Sequence, residues 1–140
     1  MMPGLLSWTL VLAGGALGAI VRVAITRFFV RHQGSDFPRG TLVVNLSGAF
    51  VVGLLAGVMF IWSRWDPTDP AFVFLVHGLV GSYTTVSSLS LEWLLLLRAG
   101  RARAAWAYLA ATVIGGMVLV LLGLLLGLTV VARALMQVVS

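Results

Sequence analysis

Four long apolar segments constrain the fold of this 140-residue chain more than any other feature. They cover about residues 5–30, 40–62, 71–97 and 104–132. Each contains the roughly 20 mainly apolar residues that a helix needs to cross a bilayer. The chain is 61% hydrophobic, with only nine basic and four acidic side chains, whereas a soluble domain carries a far larger charged surface. We therefore predict an all-α integral membrane protein, with one transmembrane domain of four helices over residues 1–140.

The basic residues, all of them arginines, are distributed unequally between the two ends of these helices. Six belong to the first and third links, namely Arg27, Arg31, Arg39, Arg98, Arg101 and Arg103, and two belong to the other end, namely Arg64 and Arg133. Because cytoplasmic loops carry the excess of positive charge, we predict a multi-pass protein of the cell membrane with both termini outside. Arginines at helix ends fit this orientation better than a nucleic-acid partner, and none is expected.

The third segment contains a hydroxyl-rich, glycine-containing stretch from Gly78 to Ser90. Such a backbone is costly in hydrocarbon unless polar groups meet it, so we predict that the third helix is broken near Gly81–Thr84. A break exposes carbonyl groups that suit a hard cation such as Na⁺, and N–H groups that suit an anion. Beyond it, Thr85, Ser88 and Glu92 share one helix face. The alternative is that the hydroxyls bond to their own helix carbonyls.

Other polar residues within the apolar segments are candidates for the same site. Asn45 offers two N–H donors to an anion, or else forms a hydrogen bond that joins two helices. Arg22 is an intramembrane charge, which marks a functional position unless its side chain extends to the membrane surface. Tyr108 and Thr112 present hydroxyls on one face of the fourth helix, although Tyr108 also suits an interfacial anchor. His77 has no carboxylate at helical spacing, and a structural role is favoured.

The sequence argues against an enzyme. It has no cysteine, no cluster of metal ligands and no set of nucleophile, base and acid. Small residues recur at helix-packing spacing in three segments: Gly14 and Gly18, then Ala49, Gly53 and Gly57, then Gly116, Gly123 and Gly127. These stripes indicate either assembly with another subunit or packing within the chain. Hydroxyl and amide donors with few carboxylates suit a small anion better than a cation as the transported species.

Three motifs resemble those of a known family. Residues 14–22 (GGALGAIVR) resemble its glycine–arginine motif in the first helix. Residues 40–50 (GTLVVNLSGAF) and 78–90 (GLVGSYTTVSSLS) are similar to its second-helix and third-helix motifs. On the basis of these residues, the chain is identified as a member of the Fluc (CrcB) family of fluoride channels. The resemblance covers nearly the whole length of the chain.

The resemblance implies an antiparallel dimer with two fluoride pores and passive fluoride efflux that lowers cytoplasmic fluoride. It implies a structural, untransported Na⁺ at the dimer centre, held by the carbonyls of Gly81 and Thr84. Asn45 would be the pore amide, and Arg22 would line an aqueous vestibule. The fluoride pathway would also include Thr85, Ser88, Tyr108 and Thr112.

The sequence departs from the family where it has Val86 and Leu89 in place of two phenylalanines, and Ser82 in place of a glycine. Aliphatic side chains lack the electropositive ring edge that faces an anion. We therefore favour a heterodimer with a homologous subunit from a paired gene, with a homodimer as the alternative. The rival functions are a small multidrug transporter subunit, which needs a membrane carboxylate absent from the first helix, and a non-transporting assembly protein.

Overall fold

The computed structural model describes residues 4–34, 36–61 and 68–139, and all the secondary structure in these ranges is helical. Helix α1 spans Gly4–Gln33 and α2 spans Arg39–Ile61. The third membrane-spanning helix, Pro70–Arg98, is composite. We divide it into α3a, residues 70–83, and α3b, Val86–Arg98, and the last helix, α4, is Ala102–Val139.

All four spans are long and apolar enough to cross a membrane, which confirms the prediction of an all-α membrane protein with four spanning helices. The main difference from the sequence prediction is α4, which continues beyond residue 132 to Val139. The predicted end of the second helix at Trp62 and the counted Arg64 lie outside the described residues.

Local sequence explains where several of these helices begin and end. Gly34 and Gly100 have φ values of 75° and 71°, and this left-handed conformation after a helix is favourable for glycine. The third span begins at Pro70, where the Asp69 carboxylate accepts a hydrogen bond of 2.8 Å from the N–H of Ala71. An acidic cap followed by proline at the first helical position is a favoured helix start.

Helices α2 and α4 form the most extensive contact in the chain. Glycines lie on both sides of it, so the backbones approach closely. A Cβ added at Gly57 would lie 2.9 Å from the Leu128 nitrogen, and one added at Gly123 would lie 2.8 Å from the Leu54 nitrogen. Of the two roles that the sequence left open for these glycines, the structure shows packing within the chain.

Helix α1 packs against α3a, also through glycine. Gly78 lies so close to Gly14 that a Cβ on Gly78 would be 3.0 Å from the Gly14 Cα. Residues Val73–Val80 of α3a form a π-helix, a rare geometry that is frequent near functional sites. Beyond the break, α3b packs on α4 instead. The two halves of the third span therefore contact different helices.

Large apolar side chains of α1 and α4 are exposed over much of both helices, for example Trp8, Leu12, Leu121 and Leu125. In a membrane these faces meet lipid tails, which requires no burial within the protein. A small core lies where α3b meets α4, formed by Leu89, Leu96, Ala105 and Tyr108. The outer faces of the helices are poor in charged groups. The polar groups of the candidate site lie on the inner faces of the bundle, near this core.

Candidate functional site

The third span is broken at Thr84 and Thr85, where the backbone is extended. Their φ and ψ values are −77° and 158° for Thr84, and −154° and 121° for Thr85. This confirms the predicted break near Gly81–Thr84. Gly81 itself remains helical, with φ −60° and ψ −33°. The break therefore does not depend on the conformational freedom of Gly81, and its cause lies in the next residues and their partners.

Asn45 holds the break open from the neighbouring helix. Its Oδ1 accepts a hydrogen bond of 2.8 Å from the Thr85 N–H, and its Nδ2 donates one of 3.0 Å to the Thr85 carbonyl. In a continuous α-helix that N–H would bond to the carbonyl of Gly81. The amide thus replaces helical pairing at Thr85. Since Nδ2 carries two hydrogens, one N–H of Asn45 remains for another acceptor.

The Thr85 hydroxyl diverts a second backbone N–H. It accepts a hydrogen bond of 3.2 Å from the Ser88 N–H and thereby caps α3b. That N–H would otherwise bond to the Thr84 carbonyl. The carbonyls of Gly81 and Thr84 therefore both lose their helical partners. These are the two carbonyls that the resemblance assigns to a sodium ion, and unpaired carbonyl oxygens are suitable ligands for a hard cation.

Three hydroxyls form a chain along the start of α3b. Thr85 Oγ1 lies 3.1 Å from Ser87 Oγ and donates to Ser88 Oγ at 3.2 Å. Since Thr85 has one hydroxyl hydrogen, Ser87 is the donor to Thr85. This order leaves the hydroxyl hydrogen of Ser88 without a partner among the described residues. Ser88 is thus a second donor, besides Asn45, that is available at the break.

Two other hydroxyls near the break donate to their own helices. Thr84 donates to the Val80 carbonyl at 3.1 Å, and Thr112 donates to the Tyr108 carbonyl at 2.8 Å. This is the alternative considered from sequence, and it holds for these two residues. Their hydroxyl hydrogens are used by these bonds, so only their oxygen atoms are available to a ligand. A cation or water would find acceptors at these positions.

A cavity of about 480 Å³, which we call the break groove, gathers most of the predicted residues on one surface. It is lined by Asn45, Gly48, Ala49, Val52, Gly81, Thr84, Thr85, Val86, Leu89, Thr112 and Val120. Residues from α2, the third span and α4 therefore meet in one place. Tyr108, Ser88, Arg22 and His77 are not among its lining residues.

The two aliphatic residues that replace phenylalanine face different environments. Val86 is 75% exposed, whereas Leu89 is 8% exposed and belongs to the core with Tyr108. A larger side chain therefore fits at Val86 without repacking, but not at Leu89.

The carboxylate of Glu92 has two hydroxyl partners. Its Oε1 accepts from Thr41 at 2.7 Å, and its Oε2 accepts from Tyr108 at 2.6 Å. Both donors are buried. Sequence reasoning identified Tyr108 and placed Glu92 on the face of Thr85 and Ser88, but it missed Thr41. Thr41 lies 51 residues from Glu92 in the sequence. The one sequence signal that could have pointed to it is its position inside the second-helix motif.

A second cavity, of about 360 Å³, lies at the arginine-rich end, and we call it the arginine-end cavity. Thr41 and Glu92 are among its lining residues, as are Arg39 and Arg101. Tyr108 is fully buried and lines neither cavity, but its hydroxyl donates to Glu92, which lines the arginine-end cavity, and its carbonyl accepts from Thr112, which lines the break groove. Glu92, Tyr108 and Thr112 thus form a hydrogen-bonded series of polar groups between the two cavities.

The remaining candidates lie apart from this series. Arg22 is half-buried on α1 and is not a lining residue of either cavity. His77 is exposed, and its ring contacts Phe72 at a centroid distance of 5.1 Å. Tyr83, which the sequence did not single out, lies 2.7 Å from Ser47 through their hydroxyl oxygens and ties α3a to α2 just before the break.

Four spanning helices with hydrogen-bonded polar side chains between them define the class of multi-pass membrane proteins with a polar interior. Residues 9–124 match the family described as CrcB-like protein, Camphor Resistance (CrcB). This chain belongs to the CrcB family.

Two relatives illustrate the similarity. The Fluoride-specific ion channel FluC of Anaeromyxobacter sp. (strain K) is 46% identical over 110 residues, or 78% of this chain and 85% of that protein. The protein of the same name from Xanthomonas euvesicatoria pv. vesicatoria (strain 85-10) is 40% identical over 126 residues, or 89% of this chain and 92% of that protein. These are names of channels, which confirms the prediction of a protein that is not an enzyme.

Proposed function

We propose that this chain is a subunit of a fluoride-selective channel that lets fluoride leave the cell passively. The relatives' names support the ion, and the break supports the chemistry. The observation that carries the proposal is the double hydrogen bond between Asn45 and Thr85. It fixes the amide and leaves one of its N–H groups as a fixed donor for a small anion, and the hydroxyl of Ser88 in the first turn of α3b is a further donor.

The proposed path passes the side chains of Glu92, Tyr108 and Thr112 and reaches the break groove. A carboxylate on an anion path repels the anion. The hydroxyls of Thr41 and Tyr108 that now donate to Glu92 are the donors that fluoride needs there. Fluoride therefore competes with the Glu92 carboxylate for these two hydroxyls, and displacement of the carboxylate accompanies its passage.

The proposed sodium site uses backbone only. The carbonyls of Gly81 and Thr84 fit it because the N–H groups of Thr85 and Ser88 are bound to side chains. No group of three or more acidic, histidine or cysteine side chains that could hold a metal occurs in residues 4–34, 36–61 and 68–139. The two carbonyls would hold the ion, and a bound Na⁺ would supply positive charge beside the break.

The surface around the break supports the proposal of a partner subunit. Val86 and Ser87 are exposed in the middle of a membrane span, and the break groove is polar on one side. Polar backbone at this depth is tolerated only where protein or water covers it. We propose an antiparallel dimer with a homologous subunit, with the heterodimer favoured because Val86 and Leu89 lack ring edges. We place the arginine-rich end in the cytoplasm and both termini outside the cell membrane.

The competing transporter function is less well supported. A small multidrug transporter subunit needs a membrane carboxylate that exchanges a proton for a cationic drug. Glu92 is the carboxylate within the described spans, and both of its oxygens are bound by hydroxyl groups. Membership of the CrcB family also favours the channel.

The test is fluoride efflux from liposomes, measured with a fluoride electrode while a potassium ionophore balances charge. The chain is reconstituted alone and together with a homologous subunit from the same genome, and chloride serves as the control anion. We expect fluoride flux without chloride flux, and larger flux from the pair. Absence of fluoride flux in both preparations refutes the channel, and robust flux from the chain alone refutes the heterodimer.

A further inference from the structure

Helix α1 and α3b diverge at the arginine-rich end of the protein. Helix α1 packs against α2 and α3a, whereas α3b packs against α4. The break at Thr84 and Thr85 separates these two sets of contacts. The arginine-end cavity lies in the wedge between them, with residues of α1 on one wall and of α3b on the other.

The walls of this wedge are apolar and open. Phe29 and Val30 belong to the α1 wall, and Leu95 and Ala99 belong to the α3b wall. Val30 is 55% exposed and Leu95 is 53% exposed. Because these residues lie within membrane-spanning helices, a hydrocarbon chain is a suitable occupant of the space between them. Water in contact with such walls would be unfavourable.

The rim of the wedge is basic. Arg39 and Arg101 line the cavity where the helices end, and both are exposed. Arg101 donates to the Asp36 carbonyl, which fixes it across the mouth, and Arg39 donates to the Gln33 carbonyl at 3.4 Å. Neither guanidinium pairs with a carboxylate among the described residues. Two guanidinium groups at one rim are suited to a phosphate.

The carboxylate of Glu92 does not oppose this arrangement. On α3b it precedes Ala99 by seven residues, which corresponds to about 10 Å of helix. Both of its carboxylate oxygens also accept hydrogen bonds, from the hydroxyls of Thr41 and Tyr108. Asp36 also lines the cavity and is exposed, so the rim carries two arginines and one aspartate. The cavity therefore has a rim of net positive charge at headgroup depth and mainly apolar walls below it.

We propose that an anionic phospholipid binds in this wedge, with its phosphate between Arg39 and Arg101 and an acyl chain between Val30 and Leu95. Basic pockets between membrane helices recognise anionic headgroups in this way. The exposed apolar walls favour a lipid over free phosphate, which would leave them in water. The proposal is independent of the transported ion, and its binding test uses no flux measurement.

The test compares retention of phosphatidylglycerol and phosphatidylcholine on the purified protein by native mass spectrometry. We expect preferential binding of phosphatidylglycerol. Removal of one arginine should reduce it about fivefold, and removal of both about 25-fold, because each basic residue near an anionic lipid contributes about 1 kcal/mol. The variants are Arg39→Gln and Arg39→Gln/Arg101→Gln. Arg39→Gln alone preserves the contact between Arg101 and Asp36, and it keeps the test valid if the double variant does not fold.

The matched control is Arg98→Gln/Arg103→Gln, which removes two exposed arginines from the same end that do not line the cavity. Retention of phosphatidylglycerol in this control, with loss in the cavity variants, supports the site. Equal loss in both refutes it in favour of general surface charge. Displacement of the lipid by millimolar inorganic phosphate assigns the rim to a soluble anion and refutes the lipid. Absence of lipid on the intact dimer, because a second subunit covers the wedge, also refutes it.

Discussion

Asn45 on α2 bonds to both backbone groups of Thr85, with distances of 2.8 Å to its nitrogen and 3.0 Å to its oxygen. The side-chain amide therefore takes the place of an adjacent peptide group. It decides where the third span breaks, and through that break it decides which carbonyls are free.

Replacement of Asn45 by alanine leaves the Thr85 N–H without a partner and removes one hydrogen bond from the Thr85 carbonyl, which as the N-cap of α3b keeps its bond within the helix. The unpaired N–H costs about 1–3 kcal/mol and the lost bond about 0.5–1.5 kcal/mol, so we expect a lower midpoint of thermal unfolding in detergent as well as loss of fluoride flux. Asn45→Asp is the matched variant, since its carboxylate still accepts from the Thr85 N–H but donates nothing to the carbonyl or to fluoride. Aspartate should recover part of the stability and none of the flux. Full flux in Asn45→Ala would contradict the role of the amide.

Tyr108→Phe removes one of the two donors to Glu92 and leaves the ring in place. The loss of a hydrogen bond to a charged group costs about 1.5–3 kcal/mol, and the fluoride path loses a donor. We expect reduced fluoride flux by the electrode assay, with a smaller loss of thermal stability than in Asn45→Ala. Thr41→Ser keeps its hydroxyl and should retain flux, whereas Thr41→Val should lose it. Equal behaviour of the serine and valine variants would show that the hydroxyl is not needed.

Alanine at Gly57 tests the close contact of α2 with α4. The added Cβ would collide with the backbone of Leu124 and would lie 2.9 Å from the Leu128 nitrogen, so the helices must separate. Overpacking of this kind costs about 1–3 kcal/mol. Gly116→Ala is the control in the same helix pair, because its Cβ would meet the Ala49 Cβ at an ordinary 3.9 Å. Thermal unfolding should distinguish the two, and similar losses would refute the packing explanation.

Phenylalanine at Val86 and at Leu89 should give opposite results. Val86 is 75% exposed and accepts a ring without repacking, whereas Leu89 is 8% exposed and touches the core around Tyr108. We expect Val86→Phe to fold normally and to raise fluoride flux of the chain reconstituted alone. Leu89→Phe should lower stability by about 1–3 kcal/mol. No gain of flux in a stable Val86→Phe protein would show that the missing ring edge is not what limits the single chain.

The membrane spans could be predicted from sequence because length and apolar composition decide them, and the break could be predicted because glycine and hydroxyls interrupt an apolar run. The exact residues of the break could not. Gly81 is helical, and the extended residues are Thr84 and Thr85. Their conformation depends on Asn45, which is 40 residues away in the chain. A local pattern carries no information on such a contact.

The hydrogen-bond partners of individual hydroxyl groups could not be predicted from the sequence either. Thr84 and Thr112 donate to their own helices, whereas Thr41 and Tyr108 donate to Glu92. All four are hydroxyls in apolar helices, and their sequence context does not separate them. The difference arises from which helix faces them, and only the packing of α2, α3b and α4 decides that. The predicted vestibule residue Arg22 lines neither cavity, for the same reason.

The π-helix at Val73–Val80 has a consequence for how this span tolerates change in length. A π-turn holds one residue more than a regular α-turn, and one residue corresponds to about 100° of rotation. The residues that meet Gly14 and Gly18 of α1, namely Phe74, Gly78, Leu79 and Tyr83, lie within this segment or directly after it. Deletion of a single residue between Phe74 and Gly78 would therefore change the angle between these contact residues by about 100°, so that they could no longer all face the glycines of α1. The contact of α3b with α4 lies beyond the break, so an insertion or deletion in the π-helix acts first on the interface with α1.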